Sequence, residues 1–162
     1  YQPLNYEMIK EALEERFGGK WQIVIRLHNR LKKESRSWLN LLPSYVSDAT
    51  FYEDMQELLL CTDVGLTDYS SWIFDFVLSG KPGFIIELNL EDYENARGFY
   101  YPIDTTPFPI AMNSEELAAN IRKFDAEKYE KDKDVFLAAR GCMEDGHASE
   151  RIVEKINELM AK

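Results

Sequence analysis

"CTDVGLTDYSSWIFDFVLSGKP", residues 61–82, is the stretch on which the fold turns. "DVGLTD" is a short apolar run of strand length, and residues 70–79 read as a helix, with Tyr69, Trp72, Ile73 and Phe76 at helical spacing on the core side. Gly80, Lys81 and Pro82 stop that helix, and "GFIIEL" (83–88) follows as another buried strand. Strand, turn, helix and strand joined by short connections predict a parallel sheet covered by helices, an α/β, Rossmann-like fold. The turn itself carries Thr67, Asp68, Ser70 and Ser71, with Asp75 one turn further on. A connection between strand and helix needs one or two small polar residues, so this one is over-supplied.

The alternation continues on both sides. Upstream, Tyr6, Ile9, Leu13 and Phe17 predict a helix over 5–17, ended by Gly18 and Gly19. "WQIVIRL" (21–27) reads as a buried strand and "SYVSDA" (44–49) as a short one, with a polar, irregular stretch between them that holds Arg30, Lys32, Lys33 and Arg36. Residues 52–60 read as a helix burying Met55, Leu58 and Leu59. Downstream, residues 89–109 form a long aromatic loop, and "IAM" (110–112) reads as a last strand. Asn113 with Glu116 three positions on marks a helix start, whose buried side is Leu117, Ile121 and Phe124. Helices near 131–140 and 147–161 complete the chain, the last predicted to bury Ile152, Ile156 and Leu159. With no internal repeat, low-complexity stretch or linker, residues 1–162 read as a single domain.

Composition narrows the possible partners. The chain has 162 residues, 45% hydrophobic and 30% charged, with a formal net charge of −10. Such a charge argues against general binding to nucleic acid or to an anionic membrane. A small anionic ligand would need a local site of backbone N–H groups, hydroxyls and a few cations. No apolar run approaches the ~18 residues that a transmembrane helix requires, and no signal peptide is visible. The first residue is Tyr, which reads as a segment of something longer. Cys61 and Cys142 are too few for a disulfide framework and read as free thiols in a reducing compartment. No carboxylate-rich spacing points to a metal ion.

In open α/β sheets ligands bind beyond the carboxyl ends of the strands, and four places qualify. After the first strand, Arg26 and His28 are two apart and share one face of an extended chain. His28 suits proton transfer or charge stabilisation, although Arg26 pairing with a carboxylate and His28 capping a turn explains the same residues. At the opening stretch, Asp68, Ser71 and Asp75 fall on one side of the helix start, where free N–H groups and the hydroxyls of Ser70 and Ser71 would receive phosphate oxygens. An over-provided N-cap is the plainer reading. In "YENARGFYY", Arg97 beside Gly98 can fork onto phosphate, or pair with Glu91 or Asp92. In "EDGHASER" (144–151), Asp145 and Gly146 make a turn and Ser149 opens a helix, either as an anion site or as a simple cap; His147 is expected to face solvent.

Together, "RLHN", "DVGLTDYSSWIFDFVLSGKP", "EDYENARGFYY" and "EDGHASERIVEKI" resemble the C-terminal half of the CDP-glycerol glycerophosphotransferases, the teichoic-acid primases and polymerases of bacterial cell walls. The "TDYSS…FDF…GKP" block is the most specific. Asn29 stands where the family usually has Pro, "FIIELNLEDY" replaces a Tyr-x-x-Asp pattern, and "PFPIAM" replaces a Pro-Gly-Pro-like turn.

The resemblance implies the C-terminal, nucleotide-donor-binding half of a two-domain GT-B-type enzyme. It implies transfer of glycerol phosphate from CDP-glycerol to a hydroxyl of a lipid-linked acceptor, with release of CMP and with no cofactor. By similarity, Thr67, Ser70, Ser71 and Ser149 would bind phosphate oxygens and Arg97 would add positive charge. His28, in the family's Arg-x-His, would donate to phosphate or steady the leaving CMP, while Asp68, Asp75 and Asp145 would orient donors or hold glycerol hydroxyls. The acceptor and a catalytic base would belong to an N-terminal half, so this segment alone is expected to bind donor without turnover. The full protein would work in the cytoplasm at the inner face of the membrane. Rival readings are a CDP-ribitol transferase, a sugar-nucleotide glycosyltransferase of the same fold, and a degenerate interaction module using the aromatic loop at 99–108.

Overall fold

A computed structural model describes residues 4–28, 42–86 and 101–161. The basic cluster at Arg30–Arg36, residues 89–100 of the aromatic loop, and Arg97 lie outside the described residues.

Helix α1 (Tyr6–Phe17) starts where the Asn5 side chain accepts from the Met8 N–H at 3.1 Å. It ends at Gly18 and Gly19, whose φ of 73° and 75° suit glycine. Strand β1 (Ile23–Ile25) pairs in parallel with β2 (Val46–Asp48), Ile25 standing opposite Asp48. Helix α2 (Met55–Cys61) follows, capped by the Asp54 carboxylate on Glu57 N–H. Next come β3 (Gly65–Thr67), α3 (Trp72–Phe76) extended by a 3-10 turn (Val77–Ser79), and β4 (Gly83–Ile86). A 3-10 turn at Ile103–Thr105 leads to β5 (Ile110–Ala111), then helices α4 (Ser114–Arg122), α5 (Ala126–Ala139) and α6 (Ala148–Met160).

The strands are parallel, as the alternation predicts, but they form two ladders among the described residues: β1–β2, and β3–β4–β5 with β4 in the centre. All of "GFII" is buried, which is what a parallel strand covered on both faces requires. Gly65 and Gly83 stand opposite each other in register. A Cβ on Gly65 would lie 2.7 Å from the Phe76 ring and one on Gly83 2.9 Å from the Phe108 ring, so glycine is what lets these rings pack onto the strands. Ile9, Ala12 and Leu13 of α1, Leu117, Ala118 and Ile121 of α4, and the residues of β4 share one core.

Three expectations change. Residues 21–27 are not a buried strand: only Ile23–Ile25 form a strand, with Ile23 and Ile25 half-buried on one face and Val24 49% exposed on the other. Helix α5 begins at Ala126 rather than near 131, set by the Asp125 carboxylate on Lys128 N–H; its charged first turns hide the buried Tyr129 from a reading by apolar spacing. Helix α6 buries nothing, and Ile152, Ile156 and Leu159 are 59%, 50% and 60% exposed. Their spacing makes an apolar stripe, but a stripe is buried only where another element lies against it.

Candidate functional site

The carboxyl ends of β1 and β2 lie side by side and are tied together by side chains. Ala49 N–H donates to Ile25 O at 2.8 Å, continuing the ladder. The Arg26 guanidinium donates to Ala49 O at 3.1 Å and also to Tyr52 O. Leu27 N–H donates to the hydroxyl of the fully buried Thr50 at 3.1 Å, and Thr50 N–H donates to Asp48 Oδ1 at 2.8 Å. Among the described residues, Arg26 is therefore engaged with backbone carbonyls. It clamps the turn 49–52 against the strand end from which the exposed His28 emerges.

The turn after β3 is built by Thr67, which is 5% exposed and whose Oγ1 accepts from Ser70 N–H at 3.1 Å. Tyr69 has φ 132°, a conformation that costs a non-glycine residue of order 1–3 kcal/mol and persists only when its surroundings enforce it. Around that bend Asp68, Ser70, Ser71 and Asp75 are exposed, while Ile73 and Phe76 are buried and Trp72 is half-buried. The division of faces matches the helical spacing read from the sequence. Helix α3 is only five residues long, so the exposed hydroxyls, more than a helix dipole, are what this turn offers an anion.

The turn before α6 is shaped by bonds running between residues 143 and 151. Asp145 receives His147 N–H on Oδ1 at 2.9 Å, and Arg151 Nη1 lies between its two carboxylate oxygens, donating at 2.7 Å to Oδ1 and 2.8 Å to Oδ2. Arg151 also donates to Met143 O at 3.2 Å. The Arg151 guanidinium and then the backbone N–H hold the Asp145 carboxyl below its ordinary range. Gly146 has φ 82°, and Ser149 and His147 are exposed, His147 with Nδ1 3.0 Å from Glu150. These bonds tie the turn to itself and not to the turn at 67–71.

Two cations escaped the sequence reading. Arg151 stands two positions from Ser149, and its signal was Asp145 across a glycine turn. Lys81 of "GKP" donates to Leu60 O at 2.9 Å and Thr62 O at 2.7 Å, closing the carboxyl end of α2.

The family model described as CDP-glycerol:poly(glycerophosphate) glycerophosphotransferase matches residues 3–158. The chain belongs to this family. Among glycerophosphotransferase relatives it is 31% identical, over 94% of its own length and 39% of the other, to the teichoic acid glycerol-phosphate transferase of Staphylococcus aureus (strain NCTC 8325 / PS 47). It is 35% identical, over 81% of its length and 23% of the other, to the teichoic acid poly(ribitol-phosphate) polymerase of Bacillus spizizenii (strain ATCC 23059 / NRRL B-14472 / W23). The chain therefore spans well under half of these curated relatives. The solved structure of the wall teichoic acid polymerase TagF, H444N variant, superposes with a TM-score of 0.69 at 26% identity, covering 98% of this chain and 40% of that one. The α/β fold with parallel strands and flanking helices is that of a GT-B-type enzyme. Among the described residues no helix is long and apolar enough to cross a membrane.

Proposed function

We propose that these residues form the donor-binding part of a transferase that moves glycerol phosphate from CDP-glycerol to a hydroxyl of a lipid-linked teichoic-acid-type acceptor and releases CMP. The observation that carries the reading is the strained turn after β3, which leaves Ser70 and Ser71 exposed at a strand carboxyl end in a chain of this family. The acceptor oxygen attacks the phosphorus next to glycerol, the bond from that phosphorus to the CMP oxygen breaks, and the acceptor proton passes to a base outside these residues. Charge accumulates on the phosphoryl oxygens and the leaving CMP, so positioned donors supply most of the rate. Ser70, Ser71 and Ser149 donate hydroxyls to phosphate, Arg97 adds a cation, and His28 donates to phosphate or to the departing CMP. Thr67 shapes the turn, and Arg26 fixes the strand end that carries His28. Asp68 and Asp75, which repel phosphate, hold glycerol hydroxyls, and Asp145 with Gly146 orients the turn of Ser149.

CDP-ribitol is the competing donor, because a ribitol-phosphate polymerase is as similar to this chain as a glycerol-phosphate transferase is. Calorimetric titration of the full chain with CMP, CDP-glycerol, CDP-ribitol and a UDP-sugar separates these. A CDP-alditol at a hundred times its Kd adds about 2.7 kcal/mol of stability. Preference for the UDP-sugar would make the chain a glycosyltransferase. If neither CMP nor either CDP-alditol raised the melting temperature, the donor reading would be lost to that of an interaction module.

A further inference from the structure

Thr50, Thr67 and Ser114 are the buried polar residues among those described, and the hydroxyl of each accepts a backbone N–H. Ser114 receives Asn5 N–H at 3.0 Å and ties α4 to the start of α1. Thr67 receives Ser70 N–H and builds the turn after β3. Thr50 has no role in the donor reading, yet it alone of these has no exposure at all. Burying a hydroxyl is costly unless it makes a hydrogen bond that the fold needs.

The end of the β1–β2 ladder shows what that bond does. Ile23 N–H donates to Tyr45 O and Ala49 N–H to Ile25 O, both at 2.8 Å. Rungs of a parallel ladder are evenly spaced, so steps of two residues from Ile23 and Tyr45 bring a later rung to Leu27 N–H and Ala49 O. That carbonyl is already engaged, accepting Tyr52 N–H and the Arg26 guanidinium, each at 3.1 Å. Strand β2 turns away here, and Leu27 N–H passes to the Thr50 hydroxyl instead. Thr50 is itself held, its N–H donating to Asp48 Oδ1 at 2.8 Å. A side chain thus replaces one rung of the sheet and extends the hold on β1 to the residue before His28. A valine would fill the same space but leave Leu27 N–H without its acceptor.

We propose that Thr50 is a positioning residue for His28: its hydroxyl stands in for the displaced rung and sets where His28 meets the donor. The role rests on the donor reading above, in which His28 donates to a donor phosphate. Complete burial keeps Thr50 from touching the donor, so its effect passes through His28. A donor group moved by a fraction of an ångström to an ångström loses much of what it contributes.

A double-mutant cycle tests this, with CDP-glycerol titrated calorimetrically into the full chain. His28→Ala is expected to weaken binding by about tenfold, the size of one hydrogen bond to a charged group. Thr50→Val is expected to weaken it by about fivefold, and Thr50→Ser, which keeps the hydroxyl, by less than about twofold. In the His28→Ala background, Thr50→Val is expected to add less than about twofold, because the group that it displaces is gone. A general loosening of the fold would weaken both backgrounds alike, so equal losses overturn the positioning role, as does unchanged affinity in Thr50→Val. Native affinity in His28→Ala overturns it as well, while leaving nucleotide binding in place. A native chain that binds no CDP-glycerol overturns the donor reading itself. Circular dichroism of each variant reads out folding. If Thr50→Val does not fold, Asp48→Ala, made at an exposed side chain, releases Thr50 N–H in its place. Its loss of affinity is expected to vanish in the His28→Ala background, and a loss that persists there overturns the role.

Discussion

Arg26 shows how the place of a side chain can be legible in the sequence while its partners are not. Its position beside His28 at a strand end was readable, because alternation along an extended chain puts residues two apart on one face. Its partners were not, because the carbonyls of Ala49 and Tyr52 come from a segment more than twenty residues away. Asp145 is the converse case. Both of its partners are local, and the turn that it forms with Gly146 was legible from the sequence. Its carboxyl is held below the ordinary value of 3.8 by Arg151 first and by His147 N–H second. A group whose folded pKa is depressed favours the fold above its ordinary pKa, and that contribution fades as the pH falls through the folded value. A carboxyl-detected NMR titration should therefore place the Asp145 midpoint below 3.8, and Arg151→Gln should move it back up. An unmoved midpoint would mean that the Arg151–Asp145 ion pair is not formed in solution.

The start of α4 followed from capping chemistry. Asn113 accepts from Glu116 N–H at 2.8 Å, and the Glu116 carboxylate in turn receives Met112 N–H at 2.8 Å, a reciprocal cap visible in "MNSEE". Asn113→Ala should cost about 1 kcal/mol in urea unfolding; a loss indistinguishable from zero would show that water replaces the cap. The start of α5 was missed although Asp125 caps it in the same manner. There the first two turns, "AEKYEKDK", carry one buried residue, Tyr129, among charges, so apolar periodicity has too little to register. Helix α6 shows the opposite failure. Its apolar spacing is more regular than that of α5, yet its stripe stays exposed.

For the molecule as a whole, β4 is the hub. It lies between β3 and β5, all four residues are buried, and Phe84 packs against Phe124 with ring centroids 5.5 Å apart. Phe84→Ala should destabilise the fold by about 3–5 kcal/mol, measured by chemical denaturation; a cost below about 1 kcal/mol would mean that the core closes over the vacancy. The α/β class, the parallel strands and the order of elements around residues 61–86 were all legible, since strand length, turn residues and helical spacing are properties of neighbours in the chain. So was the placing of Asp68, Ser71 and Asp75 on an open face, because Ile73 and Phe76 commit the other face to the core. Tertiary structure alone decided that Val24 of β1 stays exposed, that Arg26 clamps the turn 49–52, and that Leu117 is buried while Ile156 is not. The physical reason is the same in each case: periodicity states what a side chain prefers, but burial and hydrogen bonding need a partner, and partners come from distant parts of the chain.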